Sequence, residues 1–113
     1  MYFHELKSNT WITREDKPYF IRRINENRVH LLLKGIYPCH FTLDDFPTDF
    51  EPLTLPTLHV GDQVLYKKSI QGDRGIVTIL RVDEHDELCK YVIKNNDGNR
   101  TWVISVELEP INY

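Results

Sequence analysis

A chain of 113 residues has room for one ordinary domain or two very small ones. Apolar residues make up 41 % and charged residues 27 %, a balance that fits a folded chain and excludes a disordered one. The net charge of −3 is spread evenly, with seven Lys/Arg against eight Asp/Glu in residues 1–56 and seven against nine in 57–113, so bulk charge argues against nucleic acid as the default partner.

Alanine is absent and no stretch keeps apolar residues at helical spacing, whereas β-branched and aromatic residues (12 % Phe, Trp and Tyr) are common. Strands are therefore expected throughout. Residues 1–8 read as a leading strand or a loose end. Strands follow at 10–14, 19–25, 28–34, 39–43 and 50–53, with turns at 15–18, 26–27 and 44–49. "TLPTL" (54–58) reads as a short, semi-rigid connection between a first domain, 1–53, and a second, 59–113. The second domain reads as strands at 61–68, 76–84, 88–95, 100–104 and 108–111. Between them lie a glycine-bearing loop (69–75), a turn at 85–87, an Asp-Gly hairpin turn (96–99) and a single tight turn at "SVE" (105–107).

The two halves echo each other. Glu51-Pro52 and Glu109-Pro110 lie 58 positions apart, and the same offset brings "YFIRRINEN" (19–27) onto "VTILRVDEH" (77–85). Ile21 then meets Ile79, Arg23 meets Arg81, Ile24 meets Val82 and Glu26 meets Glu84. With small shifts, "HLLLKG" (30–35) falls near "KYVIKNNDG" (90–98), and "HFTL" (40–43) near "RTWVI" (100–104). A duplicated unit is expected, each copy ending where a proline closes a short edge strand.

Five short strands with a one-turn interruption before the last match a small SH3-like barrel, so the expected fold is all-β, two five-stranded SH3-like barrels in tandem. The second half resembles the Tudor, KOW and Agenet group of such barrels. "VGDQVLYKKSIQGDRGIVTIL" is similar to their opening, and "YVIKNNDGNRTWVISVELEPI" to their closing strands. The first half departs further, having no Gly-Asp-x-Val start. The Tudor resemblance implies an aromatic cage for a methylammonium group, drawn from Tyr66, Tyr91 and Trp102 with Asp73 or Asp97 beside it. Tyr91 also shares strand parity with Cys89 and Ile93, which reads as core. The KOW resemblance implies backbone contacts to RNA or DNA from Lys67, Lys68, Arg74 and Arg81.

The residues themselves point to a surface. Tyr37, Phe41, Phe46 and Phe50 stand in proline-bounded segments, and whichever of them is not core, Tyr37 and Phe46 first, would form an apolar interface patch. No nucleophile elbow, phosphate loop or metalloprotease motif occurs, so no enzyme and no cofactor is expected. Cys39-His40 and His85…Cys89 lack zinc-finger spacing, and two buried free thiols are the expected reading. With no leader-like start and no membrane-length apolar run, a cytoplasmic (or, in a eukaryote, nuclear) setting is expected rather than a secreted or membrane one. The sequence thus reads as a non-catalytic adaptor, accessory or inhibitory module. It would take a protein or peptide partner through its loops and the groove between barrels, with nucleic acid or a methylated side chain as alternative ligands.

Overall fold

The structure is a computed structural model that describes residues 1–67, 75–94 and 98–111. It is all-β. Strands β1 (Thr10–Arg14), β2 (Lys17–Ile24), β3 (Arg28–Leu33), β4 (Tyr37–Thr42) and β5 (Glu51–Pro52) form one antiparallel sheet in the order β5-β1-β2-β3-β4. Strands β6 (Gln63–Tyr66), β7 (Ile76–Val82), β8 (Tyr91–Lys94), β9 (Arg100–Val103) and β10 (Leu108–Pro110) form another in the order β10-β6-β7-β8-β9. The chain divides into two compact units, Met1–Thr54 and Leu55–Tyr113, with one sheet in each. Each unit is a meander whose fifth strand returns to pair with its first.

The likeness extends to register. Ile12 faces Pro52 and Thr13 faces Glu51, as Val64 faces Pro110 and Leu65 faces Glu109. Ile21 faces Leu31 and Ile24 faces Val29; Ile79 faces Ile93 and Val82 faces Tyr91. Both second strands carry a bulge at one place, between Ile21 and Arg23 and between Ile79 and Arg81. The equivalent positions differ by 52 in the first strand, 58 in the second, 62 in the third and fourth, and 58 again in the fifth. Differences in the length of the connections between strands account for each change of offset, while every ladder is kept. Before the first strand, Asn9 (φ 61°) and Gly61 (φ 90°) both take the left-handed conformation and donate their N–H groups to Ile21 and Ile79 (2.8 Å each). Glycine is the low-strain residue there, and asparagine is the next best.

Two expectations change. The third strand of the second unit begins at Tyr91 rather than 88, because the Asp86 carboxylate accepts from the amides of Leu88 and Cys89 (3.0 Å each). That bond pair curls the chain into a bend before pairing starts. The sheets are also open rather than closed barrels: among the described residues β4 pairs only with β3, and β5 only with β1. In the first unit the space is filled by side chains from outside the strands. Leu6, Phe46 and Phe50 join Ile12, Ile21, Val29 and Leu31 in one buried cluster, with Phe46 and Phe50 stacked at 5.1 Å. The leading residues form a 3₁₀ turn (Phe3–Glu5), and Phe3 packs against the same cluster. The second core is mostly aliphatic, built from Val64, Val77, Ile79, Ile93, Val103, Leu58 and Leu108 around Tyr91.

A latch ties the end of each first strand to the segment before the closing strand, using different chemistry at equivalent positions. In the first unit Arg14 Nε donates to Asp49 Oδ1 (2.8 Å). In the second the Tyr66 hydroxyl hydrogen-bonds the Glu107 side chain; burial, then the Glu107 charge and that bond, push the phenol up to about 12. Protonated Tyr66 is thus favoured by folding. Its contribution is complete below its ordinary value of 10 and fades as the pH rises towards about 12. Tyr66→Phe should lower stability by about 1 kcal/mol at neutral pH and remove part of the fall in melting temperature above about pH 10. Melts from neutral to alkaline pH check this.

Candidate functional site

Strand alternation and the shared bulge decide which side chains face away from each core. Two cross-strand rows lie on that opposite face, although Trp11 and Phe20 in the first of them are themselves buried (5 % exposed each). One is Trp11–Phe20–Leu32–Pro38 in the first unit and Gln63–Thr78–Lys94–Arg100 in the second. Apolar side chains in one unit are thus replaced by polar and basic ones in the other. The next row begins at the bulge arginine and runs Arg23–His30–His40 in the first unit and Arg81–Val92–Trp102 in the second. Arg23 Nη2 lies 3.4 Å from His30 Nε2, and the rings of His30 and His40 lie 6.1 Å apart. The Arg81 guanidinium lies over the Trp102 ring, 5.9 Å from its centroid, within cation–π range. Both units therefore set an arginine and an aromatic ring in equivalent places.

Charge is segregated between strands and turns. Among the described residues the only strand carboxylates are Glu51 and Glu109, both in the closing strands, and the other acids lie in turns and connections. Arg22, Arg23, Arg28, Arg81, Lys94 and Arg100 stand on the second, third and fourth strands, and none of them forms an ion pair with a described carboxylate. An acidic chain thus carries locally cationic sheet faces bounded by acidic turns.

Beside these rows, at β4, runs an edge that pairs with no further strand among the described residues. The Leu43 N–H donates to Asn27 O (2.8 Å), which sets the phase of the β3–β4 ladder. Antiparallel pairs alternate between bonded and non-bonded types. The bonded pairs are accordingly Val29–Phe41, Leu31–Cys39 and Leu33–Tyr37, while Pro38, His40 and Thr42 aim their backbone groups away from β3. Proline fits such an outward position because no ladder bond is lost. The Thr42 carbonyl is taken by the Asp45 N–H (3.1 Å).

The residues singled out from the sequence scatter. Trp102 (47 % exposed) and Tyr37 (57 % exposed) are on the surface. Phe46 (8 %) is core rather than patch, held by rings on both sides: Phe50 stacked, Phe41 edge-on at 6.1 Å. Tyr91 (3 %) is also core, and because it faces Val103 it stands on the opposite side of the sheet from Trp102. Tyr66 is engaged with Glu107. Those three aromatics therefore form no common cage. Lys67 pairs with Glu109 (3.6 Å) at the surface. Lys68, Asp73, Arg74 and Asp97 lie outside the described residues. Sequence reasoning left Arg23, His30, His40, Lys94 and Arg100 out of the candidate set. The usable signal was the lack of Asp and Glu in seven-residue and longer stretches around them.

Chemically, the site offers cations, imidazoles and open backbone groups. Burial pushes the Cys39 and Cys89 thiols up, helped at Cys89 by the charges of Asp86 and Glu107, so neither favours a thiolate. A depression of about 750 Å³ beside the β2–β3 turn is lined by Asn25, Glu26, Asn27, Arg28, Thr42, Leu43 and Asp44. Among the described residues no three His, Cys, Asp or Glu side chains gather in a metal-holding group. Comparison with protein-family models, with curated proteins and with solved structures returns no match for this chain.

His30 is held below its usual value by burial first, then by the charges of Arg23, His40, Arg28 and Arg22. The unfolded chain binds that proton more readily, so stability falls as pH drops through the ordinary histidine range. Asp49, held low by its bond to Arg14, loses its contribution only in the more acidic carboxylate range. His30→Gln should flatten the fall in melting temperature between about pH 7 and 5 and leave the fall below about pH 4 unchanged.

Proposed function

We propose that the chain is a non-catalytic binding protein made of two small SH3-like modules of the Tudor, KOW and Agenet kind, whose ligand is a protein or peptide. The SH3-like reading is supported by the meander in which a fifth strand returns to the first, and by the one-turn 3₁₀ interruption at Ser105–Glu107 before the last strand. The function rests mainly on one observation: the outward row carries an arginine on its second strand and a ring on its fourth in both units, Arg23 and His40 as Arg81 and Trp102. Exposed side chains of this kind add little to folding, so a binding surface explains their recurrence better than stability does.

A second reading, contact with a nucleic-acid backbone, is favoured by Arg81, Lys94 and Arg100 around exposed Trp102, a basic platform with a stacking ring. The acidic turns bounding each sheet repel a long polyanion and favour the protein ligand, which needs only local cations. The full chain, tagged and used as bait in extract of its native host, should retain a stoichiometric protein after nuclease treatment. Arg23→Glu with Arg81→Glu should abolish retention without shifting the melting temperature by more than about two degrees. Recovery of nucleic acid alone, lost steeply with salt, would contradict the proposal.

A further inference from the structure

We infer that the edge of β4, unpaired among the described residues, is a docking site for an extended acidic peptide, which adds to the first sheet as an antiparallel strand. This rests on the binding-module reading above and names its ligand.

The backbone defines the length and phase of the site. His40 presents both its N–H and its C=O outward, Thr42 its N–H and Pro38 its C=O; Pro38 has no N–H, and the Thr42 carbonyl is already bonded to Asp45. An incoming strand can therefore form a full two-bond pair only at His40, with one further bond on each side. Short pairing of this kind leaves specificity to side chains.

The side chains then define the sequence. The incoming residue bonded to His40 turns its side chain to the outward face, where it extends the row Arg23–His30–His40. Arg22 and Arg28 stand close enough to add their field to His30, and no described carboxylate pairs with any of these arginines. A Glu or Asp side chain there would relieve the mutual repulsion of the cations. The incoming residue opposite Thr42 extends the Arg28–Thr42 row, where the Thr42 hydroxyl already donates to the Asp45 carboxylate (2.9 Å), so an uncharged polar side chain suits that place. The one opposite Pro38 extends the apolar row Trp11–Phe20–Leu32–Pro38. Since the new strand runs against β4, it reads polar-x-acidic-x-apolar from its N-terminus. The intervening residues turn to the same side as half-buried Cys39 and Phe41 and suit valine. A second copy of β4 is a poor occupant, because it would bring two cationic rows together.

The test uses the purified full chain and a fluorescein-labelled peptide containing Thr-Val-Glu-Val-Leu, compared with its Thr-Val-Gln-Val-Leu counterpart and a labelled oligo(dT), all by anisotropy at low salt. The Glu peptide should bind about five- to ten-fold more tightly than the Gln peptide. Its binding should slow amide hydrogen exchange at His40 and Thr42. Arg23→Gln with Arg28→Gln should erase the preference for Glu, and His40→Pro, which removes an N–H that β3 does not use, should weaken both peptides. If His40→Pro unfolds, the exchange measurement on the unaltered chain decides alone. Equal binding of the two peptides, binding without slowed exchange at His40, or no binding of either overturns this inference while leaving a binding module of other specificity in place. Tight binding of oligo(dT) with no peptide binding overturns both.

Discussion

One extra residue in the second strand of each unit governs what the surface can do. Without the bulge at Arg22, strict alternation would place Arg22 opposite His30 and turn Arg23 and the residues after it onto the other face. With it, Ile24 returns to the core beside Val29, and Arg23 joins His30 and His40 on the outward face. Leu80 plays the same part in the second unit, restoring Val82 to its place against Tyr91 and sending Arg81 out towards Trp102. Core and outward row are thus two results of the same backbone irregularity.

On that framework the two units diverge where a change is tolerated and agree where it is not. The pairing phase is shared in every ladder, yet one core adds stacked phenylalanines to its aliphatic residues and the other has a single tyrosine, and the latch is an ion pair in one and a phenol–carboxylate bond in the other. Packing tolerates such exchanges when volume and patterning are kept. Acids gather in turns and cations on the middle strands, so a chain with a net charge of −3 presents cationic faces. Local charge of this sort suits a short acidic ligand better than a long phosphate backbone, whose binding scales with the number of cations it meets.

Much of this was legible in the amino-acid order. Strand positions followed from alternation and turn residues, and the offset of 58 between "IRRINE" and "ILRVDE" lies on the two bulged strands, where the structure places equivalent residues. The offset of 62 in the third and fourth strands was blurred, because the Asp86-capped bend has no counterpart of the same length in the first unit. Facing was the main casualty. Period-two reading sets Arg22 and Arg23 on opposite faces and carries no mark of an inserted residue. Phe46 read as surface because Asp44, Asp45 and Pro47 surround it; only the folded chain shows it sealing the open side of the first sheet, stacked on Phe50. Tyr91 and Trp102 lie on adjacent strands, and their separation onto opposite faces depends on the pairing of Tyr91 with Val103.

The most direct measurement is a nuclear Overhauser map of the backbone of the full chain. Bonds from Lys34 to Pro18 and from Asn25 to Arg28 place Ile21–Leu31 and Ile24–Val29 among the non-bonded pairs, where Hα atoms approach most closely. Strong Hα–Hα cross-peaks should join Ile21 to Leu31 and Ile24 to Val29, with matching peaks from Ile79 to Ile93 and Val82 to Tyr91. A cross-peak joining Arg23 to Val29 in place of the one from Ile24 would show an unbroken ladder. The outward row of arginine and rings would then not exist.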